Sequence, residues 1–302
     1  MATAPLTPPE RLVGTVRRDP RPVVHQWLEE LPATVARRLE DWHLTPERVL
    51  EPGGRRSLVV YVRQEDGTPA TLRLPLPGRA AREAAALERW DGWGSVRLLR
   101  ADVPEGALLL ERLRGEISLR SLAEAKAVLE ATGTLRRLWV EPGPEHPWET
   151  VAGRTDLEID EIGAAVPLLP VAGPLLSEAA DLRRALAADA PEEALLHGAF
   201  RQAKVLAGER VPWLAVGPDP VVGEHAYDLA ALALDRFEDL LAGSGVAAAA
   251  RRRVARLAEA LDVDRDRLRG WTLFRAVHQA VREVVRGDVP RGEALLEFAG
   301  AL

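Results

Sequence analysis

Apolar and polar positions alternate differently in the two parts of the chain. Trp27, Leu28, Leu31, Val35 and Leu39 recur at helical spacing and predict a helix over residues 24–42. From Val49 onward the period shortens. Residues 57–64 (SLVVYVRQ) and 70–75 (ATLRLP) flank the turn Glu65-Asp66-Gly67-Thr68, which is a hairpin signal. Residues 80–90 predict a helix, and residues 96–101 and 107–113 two further strands joined by a Pro-Gly turn. Beyond Leu113 the helical period dominates, over residues 122–140, 226–241, 247–261 and 265–285, the last capped by Asp264. Residues 165–176 read as an apolar, proline-broken connector, with Ser177 as N-cap of a helix over 178–188. A strand-like pair, residues 195–217, interrupts this helical part.

The expected organisation is therefore α+β, with an irregular proline-rich arm (1–22), a small strand-rich N-terminal lobe (23–113) and a larger helical C-terminal lobe (114–302). Within the latter, residues 195–230 stand out as a loop-and-strand insertion.

Composition narrows the function classes. The chain has 302 residues, is 47% hydrophobic and carries a net charge of −6, which argues against bulk nucleic-acid binding. No stretch approaches the ~20 uninterrupted apolar residues of a membrane span, and the N-terminal residues lack the apolar core of a secretory signal. There is no cysteine, so disulfides, thiolate metal sites and a cysteine nucleophile are excluded. A cytoplasmic protein is expected. Of the 40 Lys and Arg residues only Lys126 and Lys204 are lysine, leaving 38 arginines, and asparagine is absent. This skew, with its Ala, Gly and Pro richness, is that of a high-GC actinobacterial proteome, so lysine is a rare choice in this chain.

Several segments carry a family signature in collinear order: GG at 53–54, DGTPATLRL at 66–74, a helix ending RWDG at 89–92, VRLL at 96–99, GALLLERL at 106–113, LRRLW at 135–139 and DRDRLRGWTL at 264–273. In these the chain, over about residues 35–290, resembles the aminoglycoside phosphotransferase family and its streptomycin 6-kinase-like (aminoglycoside/hydroxyurea resistance) branch. The resemblance implies a two-lobe, protein-kinase-like fold with a nucleotide or small molecule in the inter-lobe cleft.

It also implies where the chemistry should lie. The phosphate-covering turn is Gly53-Gly54-Arg55-Arg56-Ser57, where glycine permits close backbone approach to an anion. The family's phosphate-facing lysine and its helix glutamate fall on Arg73 and Glu83. The catalytic loop, His-Gly-Asp-Leu-His-x-x-Asn in the family, here reads His197-Gly198-Ala199-Phe200-Arg201-Gln202-Ala203-Lys204. Ala199 replaces the general base, and a methyl group accepts no proton. Lys204 replaces a magnesium ligand with a donor-only cation. The family's Ile-Asp-Pro becomes Val216-Gly217-Pro218, and Gly217 offers a metal no side chain. Arg201 stands for the second histidine. The segment Gly223-Glu224-His225-Ala226-Tyr227-Asp228-Leu229-Ala230 follows the family's Gly-Asp-Pro-Ala-Phe-Asp-Leu-Ala, retaining Asp228 as the acid at the helix start.

No intact catalytic or metal set is therefore expected, and ATP binding, if retained, is expected without magnesium. Three functions follow. The first is a catalytically degenerate pseudokinase binding a nucleotide, a small molecule or a protein partner. The second is an active small-molecule kinase in which Asp219 or Glu224 has been recruited to hold metal. The third is a repurposed enzyme of secondary metabolism using His197, Arg201 or Lys204 in the old cleft. The charge inversion at the loop leans away from an ATP- and magnesium-dependent kinase. The acidic stretch Asp156, Glu158, Asp160 and Glu161 is either a solvated face or a set of carboxylates for substrate amines.

Overall fold

A computed structural model describes residues 6–302. The chain forms two compact units, residues 1–121 with 205–219 and residues 122–204 with 220–302. Residues 1–5 of the expected irregular arm lie outside the described residues. Much of the remainder is not irregular. Helix α1 (Glu10–Arg17) starts directly after Pro9 and buries Leu12 and Val16, an i, i+4 pair. The prolines that suggested a loop sit before the helix, where a missing N–H costs nothing. Helix α2 (Pro22–Asp41) follows, likewise opened by proline.

Five strands then build the first unit's main sheet: β1 (Thr45–Val49), β2 (Ser57–Arg63), β3 (Pro69–Pro75), β4 (Leu98–Asp102) and β5 (Ala107–Glu111), with helix α3 (Ala80–Trp90) between β3 and β4. The sheet order is β1-β2-β3-β5-β4, antiparallel throughout. Leu12, Val16, Val24, Leu31 and Val35 from the two helices share one core with Leu58, Val60, Val62, Leu72, Leu74 and Leu109 from the sheet. Strands β2 and β3 bury almost every residue. The half-buried positions inside them, Val59 and Arg73, are register partners.

Strand β6 (Arg114–Ser118) lies past the expected lobe boundary at Leu113 yet belongs to the first unit. The second unit begins with helices α4 (Glu124–Leu138), α5 (Val151–Ala165) and α6 (Gly173–Ala188). Ser177 is not an N-cap: α6 starts four residues earlier with Pro174 in its first turn, and Ser177 lies inside it. Two 3₁₀ turns, Val166–Leu168 and Pro170–Ala172, occupy half of the expected connector, and α6 takes its last four residues.

The strand-like pair of residues 195–217 resolves into parts of two sheets. Strand β7 (Ala194–Leu196) belongs to the second unit. The chain then returns to the first through β8 (Val205–Ala207) and β9 (Trp213–Ala215), which pair as β6-β8-β9. Strand β10 (Val221–Gly223) comes back to the second unit and pairs antiparallel with β7, Val221 opposite Leu196. Helices α7 (His225–Ala233) and α8 (Phe237–Leu241) replace one expected helix, broken where Arg236 adopts a left-handed φ of 55°. Then come α9 (Val246–Leu261), α10 (Arg265–Val285) and α11 (Val289–Gly300), the last unassigned by the sequence pattern. Asp264 caps α10 as expected, accepting from the N–H groups of Asp266 and Arg267 at 2.9 and 2.8 Å. Helix α10 is the spine of this unit: Leu268, Trp271, Phe274, Val277 and Val281 are buried along it, each such side chain contributing about 1.5–3 kcal/mol by leaving water. Among the described residues no helix is long and apolar enough to cross a membrane.

Candidate functional site

In the first unit the expected anion-binding residues cluster around strand β3. Gly53 has φ 63°, and a Cβ there would lie 2.8 Å from the Leu50 carbonyl oxygen and 2.9 Å from the Pro9 side chain. Only glycine fits, and the entry to α1 braces the turn. Gly54 is equally tight, its absent Cβ falling 3.0 Å from Ser57 Oγ. Arg55 and Arg56 are exposed. Burial, together with the neighbouring Arg55 charge, holds the Arg11 guanidinium below its ordinary pKa, so this face of the turn is positive.

Arg73 and Glu83 pair as the sequence suggested. Arg73 Nε donates to Glu83 Oε1 at 2.6 Å and Nη2 to Oε2 at 3.2 Å, while Nη1 donates to Ser57 Oγ at 2.7 Å. Glu83 projects from the first turn of α3 and is 1% exposed. Ser57 sits diagonally from Arg73 across the β2–β3 ladder, within reach of a long side chain. Gly217, with φ 60°, lies against this group: a Cβ there would be 3.5 Å from Arg73 Nη2 and 3.7 Å from both Cζ and Nη1. Asp219 accepts from Arg79 at 2.6 Å and from Arg56 at 3.2 Å.

In the second unit the loop of residues 197–204 is held by Asp228. His197 is fully buried. The backbone N–H groups of His197 and Gly198 donate to the two Asp228 carboxylate oxygens at 2.9 and 3.0 Å. Burial pushes the Asp228 carboxyl above the usual range, opposed by those N–H groups and by the Arg275 charge. Arg275, from α10, donates to the Gly198 and Tyr227 carbonyls at 3.3 Å and lies 4.3 Å over the Tyr227 ring. Burial pushes the Tyr227 phenol up to about 12. Ala199 N–H donates to His197 Nδ1 at 3.3 Å, so that nitrogen is an acceptor engaged within the loop. Gln202 N–H donates to Asp235 at 2.6 Å, anchoring the 3₁₀ turn Gln202–Lys204 that ends the loop, and Lys204 N–H donates to the Arg201 carbonyl at 2.8 Å.

Glu224 is 2% exposed and fully engaged. Arg267 donates through Nε and Nη2 at 2.6 Å each, and Trp271 Nε1 adds a third bond at 2.6 Å. The hydrogen bonding of Arg267 to the Glu224 carboxylate is the leading cause raising the Arg267 pKa. His225 beside it stacks on Trp139, centroids 4.2 Å apart. In the acidic stretch of α5, Asp156 pairs with Arg183 at 2.8 Å, and Glu158 and Glu161 face the two ring nitrogens of His278 at 3.4 and 2.8 Å.

These residues do not fit a magnesium ion. Gly217 and Ala199 offer no side-chain ligand, the Arg73 guanidinium lies against position 217, and Lys204 carries a cation. The two carboxylates considered as substitutes, Asp219 and Glu224, are each paired with arginine. Among the described residues no group of three or more His, Asp or Glu side chains is placed to hold a metal ion. Sequence reasoning missed Arg79, Arg267, Trp271 and Arg275, partners that fix the expected residues.

Residues 41–287 match the model of the aminoglycoside/hydroxyurea antibiotic resistance kinase family. The chain is 34% identical to a streptomycin 6-kinase of Streptomyces glaucescens over 301 residues, covering 97% of this chain and 96% of that one. It is 36% identical over 313 residues to a hydroxyurea phosphotransferase of Kitasatospora aureofaciens, covering 97% and 85%. Among solved structures, a thermostable mutant of aminoglycoside phosphotransferase APH(4)-Ia in a ternary complex with ADP and hygromycin B shares the fold. Its TM-score is 0.56 at 15% identity, covering 87% of this chain and 96% of that one. By its sequence, the chain belongs to the aminoglycoside/hydroxyurea antibiotic resistance kinase family.

Proposed function

We propose that this protein is a degenerate member of its kinase family, a cytoplasmic module that binds a nucleotide or a related small anionic ligand without magnesium. One observation carries the reading. The three positions that supply base and metal ligands in the resemblance hold Ala199, Lys204 and Gly217, while the acids Asp219 and Glu224 are paired with Arg56, Arg79 and Arg267. A bound ADP in a solved structure of the same fold supports a nucleotide as the ligand.

The names of the relatives favour a second reading, an active small-molecule kinase: those at 34 and 36% identity over nearly the whole chain are a streptomycin 6-kinase and a hydroxyurea phosphotransferase. The two readings separate in one assay. The full chain is incubated with ATP, magnesium and either streptomycin or hydroxyurea, and phosphorylated product is measured. Loss of a general base alone slows a reaction by ~10²–10⁴, and loss of the metal set slows it further, so no product above the protein-free control is expected. Turnover in the ordinary kinase range of about 1–100 s⁻¹ would establish the second reading instead.

A further inference from the structure

Helix α9 carries its outward charges in two blocks. Arg251, Arg252 and Arg256 are exposed along its middle, followed by Glu259 in the last turn and Asp262 at the C-cap, both exposed as well. None of these five side chains has an ion-pair or hydrogen-bond partner among the described residues. Arg253, in the same run, behaves differently: it turns inward to the Asp235 carbonyl at 2.7 Å and pairs with Glu124. Within one helix the outward pattern is unfavourable. Arg252 and Arg256, at i and i+4, repel, and Glu259 and Asp262 bring negative charge to the negative end of the helix dipole. The acidic block continues into the turn before α10, where Asp264 and Asp266 are exposed. The four carboxylates, with Arg265 as the one cation, line an open groove of about 450 Å³.

The two blocks are complementary to each other in reverse order. Arg252, Arg256 and Glu259 lie on one stripe of α9, at i, i+4 and i+7. An antiparallel copy of the helix, related by a twofold axis at the level of Leu257 and Ala258, brings Arg256 level with Glu259 of the second copy. The same operation sets Arg251 and Arg252 opposite the acidic groove of that copy. We propose that the outer face of α9 is the contact surface of a symmetric homodimer, in which each arginine block meets the acidic block of the second copy. One patch meets itself, so every contact occurs twice. The like-charge crowding along one helix becomes opposite-charge pairing between two, and the antiparallel dipoles relieve the cost at each C-terminal end. This contact does not depend on which ligand the protein binds.

Sedimentation equilibrium of the full chain over a concentration series, in about 0.05 M and about 1 M NaCl, tests the surface. Wild type is expected to dimerise reversibly at low salt and to dissociate at high salt, because exposed charges are screened. Arg256→Glu and Glu259→Arg each put like charges face to face and are expected to weaken association by about tenfold or more. The two side chains are exposed, so thermal midpoints should stay near that of wild type, and either reversal suffices if the other fails to fold. Arg256→Glu combined with Glu259→Arg restores opposite charges and is expected to recover association to within about threefold of wild type. Arg184→Glu, the same charge change on an exposed side chain of α6, is expected to leave association unchanged. A wild type that is monomeric at every concentration overturns the proposal, and binding of poly-L-glutamate by that monomer would give the arginine block to a separate acidic partner instead. A dimer that withstands high salt or the single reversals also overturns it, as does equal weakening by Arg184→Glu or a combined variant as weak as the single ones.

Discussion

Asp228→Ala should lower the unfolding free energy by about 3–5 kcal/mol and release the loop from Leu196 to Lys204. The carboxylate is fully buried at the start of α7 and accepts the N–H groups of His197 and Gly198. Truncation leaves two buried backbone donors unsatisfied, at about 1–3 kcal/mol each, besides the cavity. Asp228→Asn keeps the shape and one oxygen, so its loss should be about half as large. Both variants also lose a pH response that the wild type has. Burial raises the folded pKa of Asp228 above its unfolded value. Its titration therefore contributes stability that is complete below the unfolded pKa and is lost as pH rises through the folded one. The gap between wild type and Asp228→Asn should accordingly widen as pH falls through that window. Chemical denaturation at several pH values checks both statements, and a loss under ~1 kcal/mol for Asp228→Ala would refute the bracing role.

Glu224→Ala should cost a similar amount, about 3–5 kcal/mol, the penalty typical of removing one partner from a buried ion pair. Three donors converge on this side chain, two from Arg267 and one from Trp271, each at 2.6 Å, and Trp271 lies in the core of the second unit. Arg267→Ala should be nearly as damaging, and the double variant should fall well short of the sum, giving a coupling energy of about 2–3 kcal/mol. The outcome also bears on function. A carboxylate this deeply committed cannot leave its arginine to bind a metal without the same loss. If Glu224→Ala were almost neutral in stability but abolished binding of a divalent cation, the active-kinase reading would gain its missing ligand.

Local pattern made much of the fold legible. The β2–β3 hairpin follows from alternation around Glu65-Asp66-Gly67-Thr68, and α10 from its 3.6-residue apolar period and the Asp264 cap. What failed was either masked or non-local. Prolines hid α1, although Leu12 and Val16 already sat one helical turn apart. Arg236 broke α7 from α8 with a left-handed φ that no glycine announced. The pairings β6 with β8 and β7 with β10 join segments far apart in sequence, and no short-range signal marks which unit each strand enters.

The site divides in the same way. Arg73 with Glu83, and Asp228 beneath the loop, were readable through the family resemblance. The arginines that commit Asp219 and Glu224 were not, because in a chain with 38 of them no single arginine carries a positional signal. As a result two carboxylates looked available in sequence that are ion-paired in the structure.

Isothermal titration calorimetry of the full chain with ATP, once in EDTA and once in magnesium, tests the central claim most directly. Metal-free binding requires a dissociation constant in EDTA within about threefold of that in magnesium, a difference below ~0.7 kcal/mol. Binding that appears only when magnesium is present would contradict it.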